Sequence, residues 1–188
     1  ELGAGIGLAG MVAVLLGAGK VLLTDGDAKV LDLAKVNAEA NLTPEEIKEG
    51  GLRYEKLRWE WAADEAWKYD DGEKEPIDVI LAADLTYYKD NIPPLMRMIR
   101  RLCSPNTEVL LSHTVRPTDG DSMQQFYKFF NVDKINSGPA FEGHPETFMY
   151  RLKAKSKAEL GDADDKVSDG CRPGYKLKKD INLCVPAS

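Results

Sequence analysis

Glu1-Leu2-Gly3-Ala4-Gly5-Ile6-Gly7-Leu8-Ala9-Gly10 opens the sequence, and its reading decides the fold. A strand end runs into a glycine turn and then into a helix. The next apolar run, Val21-Leu22-Leu23, closes on Thr24-Asp25. A glycine turn followed by an acid at the end of the next strand is how α/β folds hold an adenosine-type cofactor. The glycines let backbone approach the ligand, and the acid accepts hydrogen bonds from ribose hydroxyls.

The spacing of the glycines narrows this further. Dinucleotide folds use GxGxxG, whereas Gly3, Gly5 and Gly7 make GxGxG behind the acidic Glu1. That form suits S-adenosylmethionine (SAM), which has no pyrophosphate to seat on the helix N-terminus. The motif alone is also compatible with a tight turn in another kind of α/β domain.

Working outward, Ile6–Leu16 reads as a small, apolar helix packed on a sheet, ended by Gly17–Gly19. Asp27–Ala40 shows helical spacing with Asp27 as N-cap, and Thr43 caps a short turn behind Pro44. Leu52–Leu57 alternates like a strand near a sheet edge and leads into Arg58-Trp59. The charged stretch 64–76 reads as a surface loop or short helix, with Trp67 and Tyr69 its only large apolar groups; Trp61 and Trp67 are assigned to packing. Asp78-Val79-Ile80-Leu81-Ala82-Ala83-Asp84 is a continuous apolar run bounded by acids, as in a central parallel strand buried on both faces. Pro93-Pro94 opens a helix whose inner stripe is Leu95, Met98, Ile99 and Leu102, with Arg97, Arg100 and Arg101 facing out. Glu108–His113 and Phe148–Leu152 read as strands, with a short helix over Ser122–Phe130 between them. Strands alternating with helices predict a mostly parallel sheet with right-handed crossovers.

Two further strand ends carry candidate chemistry. Trp59 could lay its ring on an adenine face or pack under the following loop, and the sequence leaves both open. Asp84-Leu85-Thr86-Tyr87 places a carboxylate, then an aromatic hydroxyl, at the end of the central strand. Such a pair suits an amine: the acid orients the nitrogen, and the ring favours the positive charge that develops on it; a capped turn with a surface Tyr is the plainer alternative. Asp25 likewise reads as a ribose acceptor or as an ordinary strand-end acid. His113 and His144 lack partners at metal-ligand spacing, so no metal is expected, and His113 reads as a satisfied near-core histidine.

Bulk properties set the limits. The 188 residues carry 43% hydrophobic and 30% charged positions, as in a globular domain. A net charge of −6 argues against a partner held through phosphates, so no nucleic acid is expected. No apolar run reaches the ~18 residues of a membrane span. Cys103, Cys171 and Cys184 make no disulfide framework, which points to a reducing compartment, the cytosol or the nucleus. Only Glu1 and Leu2 precede the turn, so the first strand is expected to be incomplete and the chain N-terminally truncated. The domain is expected over 1–154, with 155–188 as a charged, disordered tail carrying two cysteines.

With these residues in hand, the chain resembles the SAM-dependent, seven-strand protein-lysine methyltransferases of methyltransferase family 16. The matching motifs are Glu1-Leu-Gly-Ala-Gly-Ile-Gly, Leu23-Thr-Asp25-Gly26, Leu57-Arg-Trp59 and Asp78-Val-Ile-Leu-Ala-Ala-Asp84-Leu-Thr-Tyr87. The second and third are similar to the calmodulin-lysine branch. Thr114-Val115-Arg116 is similar to the elongation-factor-lysine branch, and the choice between them stays open. The resemblance implies a Rossmann-like class I fold: a mostly parallel seven-strand sheet with helices on both faces. It implies that the Glu1, Gly3, Ala4, Gly5 and Gly7 turn lines SAM, that Asp25 holds the ribose, and that Trp59 and Ala83 flank the adenine. Asp84 and Tyr87 would border the target lysine of a protein substrate, with the enzyme acting as a monomer. A SAM-binding scaffold without turnover, or a methyltransferase for a small molecule or another side chain, are the rival functions.

Overall fold

The computed structural model of the chain describes residues 1–63, 76–116, 122–135, 146–160, 175–178 and 183–186. Trp67, Tyr69, His144 and Cys171 lie outside the described residues. The backbone groups into two compact units, Glu1–Arg58 with Ile80–Ala83, and Trp59–Val79 with Asp84–Ser188. This division does not follow the expected boundary at residue 154.

In the first unit, helix α1 (Leu8–Leu15) follows the glycine turn, and strand β1 (Leu22–Asp25) comes next. Helix α2 (Ala28–Asn41) starts behind Asp27, whose side chain accepts from Lys29 N as the expected N-cap. Helix α3 (Pro44–Glu49) carries a complete capping box between Thr43 and Glu46. Strand β2 (Arg53–Lys56) pairs parallel with β1, from Leu22↔Arg53 to Asp25↔Lys56. Beyond β1, Glu1 O accepts from Thr24 N and Ala4 N donates to Thr24 O. On its other side Leu2 N donates to Leu81 O, and Leu2 bridges Ala82 in parallel within strand β3 (Val79–Ala83). The glycine turn is thus anchored by backbone bonds on both flanks.

The apolar residues of these elements close one core: Ala4, Met11, Val14, Leu23, Leu31 and Ala34 are among its buried members. Small residues at Gly7, Gly10 and Ala34 set how near the helices come. A Cβ on Gly7 would lie 3.0 Å from Leu23 Cδ1 and 3.2 Å from Ala34 Cβ. The helix read as packed on a sheet buries Gly10, Met11 and Val14, while Leu8, Val12, Leu15 and Leu16 of that apolar segment are exposed.

The second unit begins with a 3₁₀ helix, Trp59–Ala63, packed on helix α4 (Ile92–Leu102). Leu95, Met98 and Ile99 form the expected inner stripe of α4, widened by Ile92, Pro94 and Met96. Arg101 faces out, whereas Arg97 and Arg100 are half-buried and Arg100 lies over the Phe129 ring. Strand β4 (Glu108–Thr114), helix α5 (Gln124–Phe129), strand β5 (Phe130–Ile135) and strand β6 (Thr147–Ala154) complete its framework. Strand β6 runs between β4 and β5, antiparallel to both, from Val109↔Leu152 and from Phe130↔Ala154.

The mostly parallel sheet expected from the sequence therefore holds for the strand pairs of the first unit, while the pairing in the second is antiparallel. Pairing among the described residues is mixed. A parallel return needs a crossover of a dozen or more residues, usually a helix, whereas an antiparallel neighbour needs only a short connection. The segment between β5 and β6 is short enough for the latter.

The tail also departs from expectation. Lys157–Leu160 forms helix α6 behind Ser156, whose backbone N and Oγ both donate to Glu159 Oε2. Tyr175–Lys178 (β7) and Leu183–Pro186 (β8) pair antiparallel, so part of the stretch taken as disordered has regular backbone. Among the described residues, no helix is long and apolar enough to cross a membrane, and no group of three or more His, Cys, Asp or Glu side chains could hold a metal ion.

Candidate functional site

In the first unit the glycine turn and the strand-end acid meet directly. Gly5 N donates to Asp25 Oδ2 at 3.1 Å, and Asp27 N donates to Asp25 Oδ1 at 3.0 Å. Each oxygen of Asp25 has one contact from the backbone and keeps capacity for another, because an ionised carboxylate offers about four acceptor positions. Gly3, Gly5 and Gly7 all have positive φ, at 55°, 53° and 84°. Around Gly5 a Cβ would meet nothing within 4 Å, so open space faces the turn beside Asp25. A half-buried acid with spare acceptors next to a bare backbone turn fits a nucleoside ribose. The donor set and the space both suit the adenosyl half of SAM.

The other turn residues have different tasks. Glu1 Oε2 accepts from Gly10 N at 2.8 Å, which places a carboxylate at the start of α1. Burial pushes the Glu1 carboxyl above its usual range and nearby Asp25 adds to this, with the Gly10 N–H pulling the other way. Ala4 is buried in the core, so only its backbone can face a ligand. Gly7 is held to glycine by Leu23 and Ala34, a demand of the core. Ala83 is exposed at the end of β3.

Trp59 stands differently from the expectation. The strand stops at Lys56, and Trp59 opens a 3₁₀ helix with its side chain half-buried. In the second unit that helix packs on α4.

Also in the second unit, Asp84 has φ 53°, the one positive value at a non-glycine among the described residues. Such a conformation costs about 1–2 kcal/mol for most residues and less for Asp, so its presence marks a site where the surroundings impose it. The imposition is visible. Asp84 N donates to Ser112 O at 3.0 Å and to Ser112 Oγ at 3.1 Å, both from β4. The carboxylate is gripped by Arg116: Nη1 to Oδ1 at 3.0 Å and Nη2 to Oδ2 at 2.6 Å. Nη1 also reaches Thr114 O at 3.3 Å. Partial burial raises the Asp84 carboxyl, but the Arg116 hydrogen bonds and charge, with smaller help from Thr114 and His113, outweigh it and leave the pKa below the usual range.

The residues after Asp84 divide by role. Thr86 is fully buried, its Oγ1 2.6 Å from His113 Nδ1, so His113 is the satisfied near-core histidine that the sequence suggested. Tyr87 is exposed, its ring centroid 4.7 Å from that of Tyr88. The segment therefore buries Leu85 and Thr86 and presents Asp84 and Tyr87, the two residues singled out for an amine. Arg116 was missed as a site residue. The signal available was an arginine just past the end of a buried strand, which by itself names no partner.

A family model described as "Lysine methyltransferase" matches residues 1–132. Protein N-lysine methyltransferase METTL21A of Mus musculus is 32% identical over 160 residues, covering 85% of this chain and 67% of that protein. EEF1A lysine methyltransferase 3 of Xenopus tropicalis is 33% identical over 125 residues, covering 64% of this chain and 48% of its own length. Calmodulin-lysine N-methyltransferase of Arabidopsis thaliana is 30% identical over 131 residues, covering 68% and 40%. Among solved structures, the glycopeptide N-methyltransferase MtfA complexed with S-adenosyl-L-methionine superposes with a TM-score of 0.62 at 12% identity, covering 82% of this chain and 86% of that one. The TehB-like SAM-dependent methyltransferase from Corynebacterium glutamicum gives 0.57 at 18% identity, covering 82% and 78%. At such identities these two show the fold, a Rossmann-like methyltransferase fold.

Proposed function

The chain belongs to the lysine methyltransferase family, and from that membership we propose that it transfers a methyl group from SAM to the ε-amine of a lysine in a protein substrate. The observation that carries this reading is one unbroken family match over both the glycine turn with Asp25 and the Asp84-Leu85-Thr86-Tyr87 segment. Relatives on three branches are named for protein lysines, which supports a protein as acceptor.

When bound, SAM supplies an electrophilic methyl group on a sulfonium that leaves readily. The residues of this chain have the remaining work. Asp25, already clipped to Gly5, takes the ribose hydroxyls, and the open space at Gly5 gives the nucleoside room. Asp84 and Tyr87 border the acceptor nitrogen. A lysine with pKa ~10.4 is only about 0.1% neutral near pH 7.4, which costs roughly 4 kcal/mol. The site therefore needs to hold and partly desolvate a neutral amine more than it needs a strong base. Asp84 orients the amine N–H groups and Tyr87 walls the slot.

We further read the intact protein as a seven-strand, mostly parallel sheet acting as a monomer in the cytosol or nucleus. Calorimetry with SAM, followed by transfer of a labelled methyl group into a cell lysate, tests the function. A labelled protein band that Asp84→Ala abolishes is the expected result. SAM binding with no labelled band would make the protein a scaffold and overturn the reading.

A further inference from the structure

We propose that Arg116 is a positioning residue that cancels the charge of Asp84 toward the substrate, so that the acceptor lysine is held as a neutral amine rather than as an ammonium ion. The inference rests on the reading of Asp84 and Tyr87 as the border of the lysine slot, and it concerns how that slot avoids its own chemical hazard. A bare carboxylate beside a lysine favours the ammonium form. An opposite charge within about 4–6 Å shifts such a pKa by 1–3 units, and each unit leaves one tenth as much neutral amine. An acid placed to orient the nucleophile would thus also disarm it.

The geometry answers this hazard. The planar guanidinium of Arg116 meets both Asp84 oxygens at once, at 3.0 and 2.6 Å, and Thr114 O accepts from the same Nη1. A two-pronged pair of this kind neutralises the carboxylate while occupying about two of its four acceptor positions. The free positions can still take N–H bonds from an amine. Ser112 holds the Asp84 backbone in its left-handed turn by accepting from Asp84 N through both its carbonyl and its hydroxyl, which fixes the point from which the carboxylate reaches the guanidinium. Other titratable groups on the elements around the pair are His113 on β4, Tyr87, Tyr88 and Lys89 after β3, and Glu146, whose carbonyl accepts from Val115 N ahead of β6. Of these, His113 adds to the positive side at Asp84. None replaces the two-pronged contact.

The test uses n-butylamine as the probe, titrated into the full chain between pH 6.5 and 9 and followed by NMR of the tyrosine ring signals. A site that prefers neutral amine must bind more tightly as pH rises, by about tenfold per unit below the amine pKa of ~10.4. Wild type is expected to show that rise. Arg116→Gln exposes the Asp84 charge and is expected to lose most of it, changing less than about threefold over the range because the ammonium now binds. Arg116→Lys keeps the charge and is expected to restore most of the slope. The same slope in wild type and Arg116→Gln would overturn the proposal, as would a flat wild type. With the lysate acceptor in hand, the rising limb of kcat against pH is expected to move up by about one unit in Arg116→Gln. A merely structural arginine would lower kcat without moving the limb. A wild type that labels no protein removes the methyl-transfer reading, yet the butylamine slopes still decide the role of Arg116.

Discussion

Leu23 occupies the space where Gly10 would carry a side chain: a Cβ on Gly10 would fall 2.0 Å from Leu23 Cδ2 and 3.0 Å from Glu1 Oε2. The end of a leucine side chain can often rotate away, but this one cannot. It is fully buried, so a new rotamer would have to displace core neighbours. Leu23 is thus clamped by the core around it. Gly10→Ala is therefore expected to lose about 1–3 kcal/mol to overpacking, partly offset by about 1 kcal/mol of better helix propensity. Urea unfolding should show a net loss of up to about 2 kcal/mol, and a raised midpoint would contradict the clamp.

Asp25 ties the strand end to the glycine turn, so its removal should weaken cofactor and turn together. Asp25→Asn keeps one acceptor oxygen and removes the charge. SAM affinity is expected to fall at least about tenfold by calorimetry, the loss of one charge-assisted hydrogen bond, while stability falls by about 1 kcal/mol. Equal SAM affinity in the two proteins would show that the acid serves the turn alone.

Thr86 and His113 form a buried pair at 2.6 Å, one link between the Asp84 segment and β4. Thr86→Val keeps the shape and deletes the hydroxyl, leaving His113 one partner short in the interior. A loss of about 1–3 kcal/mol is expected, with Thr86→Ser recovering much of it. If the valine variant is as stable as wild type in urea unfolding, the pair contributes packing only.

The Asp84–Arg116 pair also has a signature in acid. The folded pKa of Asp84 lies below its unfolded value of ~3.9, so its contribution to stability is fully present above about pH 4 and is lost as pH falls through the depressed value. Both side chains are about a third or more exposed, at 41% and 36%, so solvent screens the pair and it contributes only about 0.5–1 kcal/mol. Asp84→Asn should be less stable than wild type at neutral pH by that amount. The two unfolding curves should converge below about pH 3, and a constant gap down to pH 2 would assign the loss to something other than charge.

How much of this could be read in the sequence depends on whether the signal was local. The glycine turn, Asp25, the Asp27 and Thr43 caps and the Pro93-Pro94 helix start are written in neighbouring residues, whereas the hydrogen bond from Gly5 to Asp25 is not encoded in their spacing. Strand β5 was not anticipated beyond Phe130, which was read as the end of a helix, because Asn131, Asp133 and Lys134 leave only Phe130 and Val132 as alternating apolar markers. Trp59 was placed on a strand because Leu57-Arg58-Trp59 continues the alternation, although the ladder itself stops at Lys56. The antiparallel course of β6 and the grip of Arg116 on Asp84 are contacts between distant stretches. No local spacing encodes them.

The left-handed backbone of Asp84 separates its two duties, and a series of substitutions can read each one alone. Glycine accepts φ 53° at no cost, asparagine accepts it at least as well as aspartate, and alanine does not. All three remove the carboxylate, so all three are expected to lose transfer to lysine. Stability should split them. Asp84→Asn keeps the turn and loses only the ion pair. Asp84→Gly also keeps the turn, with the relief of strain set against a more flexible unfolded chain. Asp84→Ala bears the conformational cost as well and should be the least stable, by about 1 kcal/mol relative to the asparagine variant. If Asp84→Ala instead matches Asp84→Asn in urea unfolding, the backbone at this position relaxes freely and the strain is not held by Ser112. If Asp84→Asn retains full transfer, the charge at this position is dispensable, and Tyr87 with the amide oxygen suffices to place the amine.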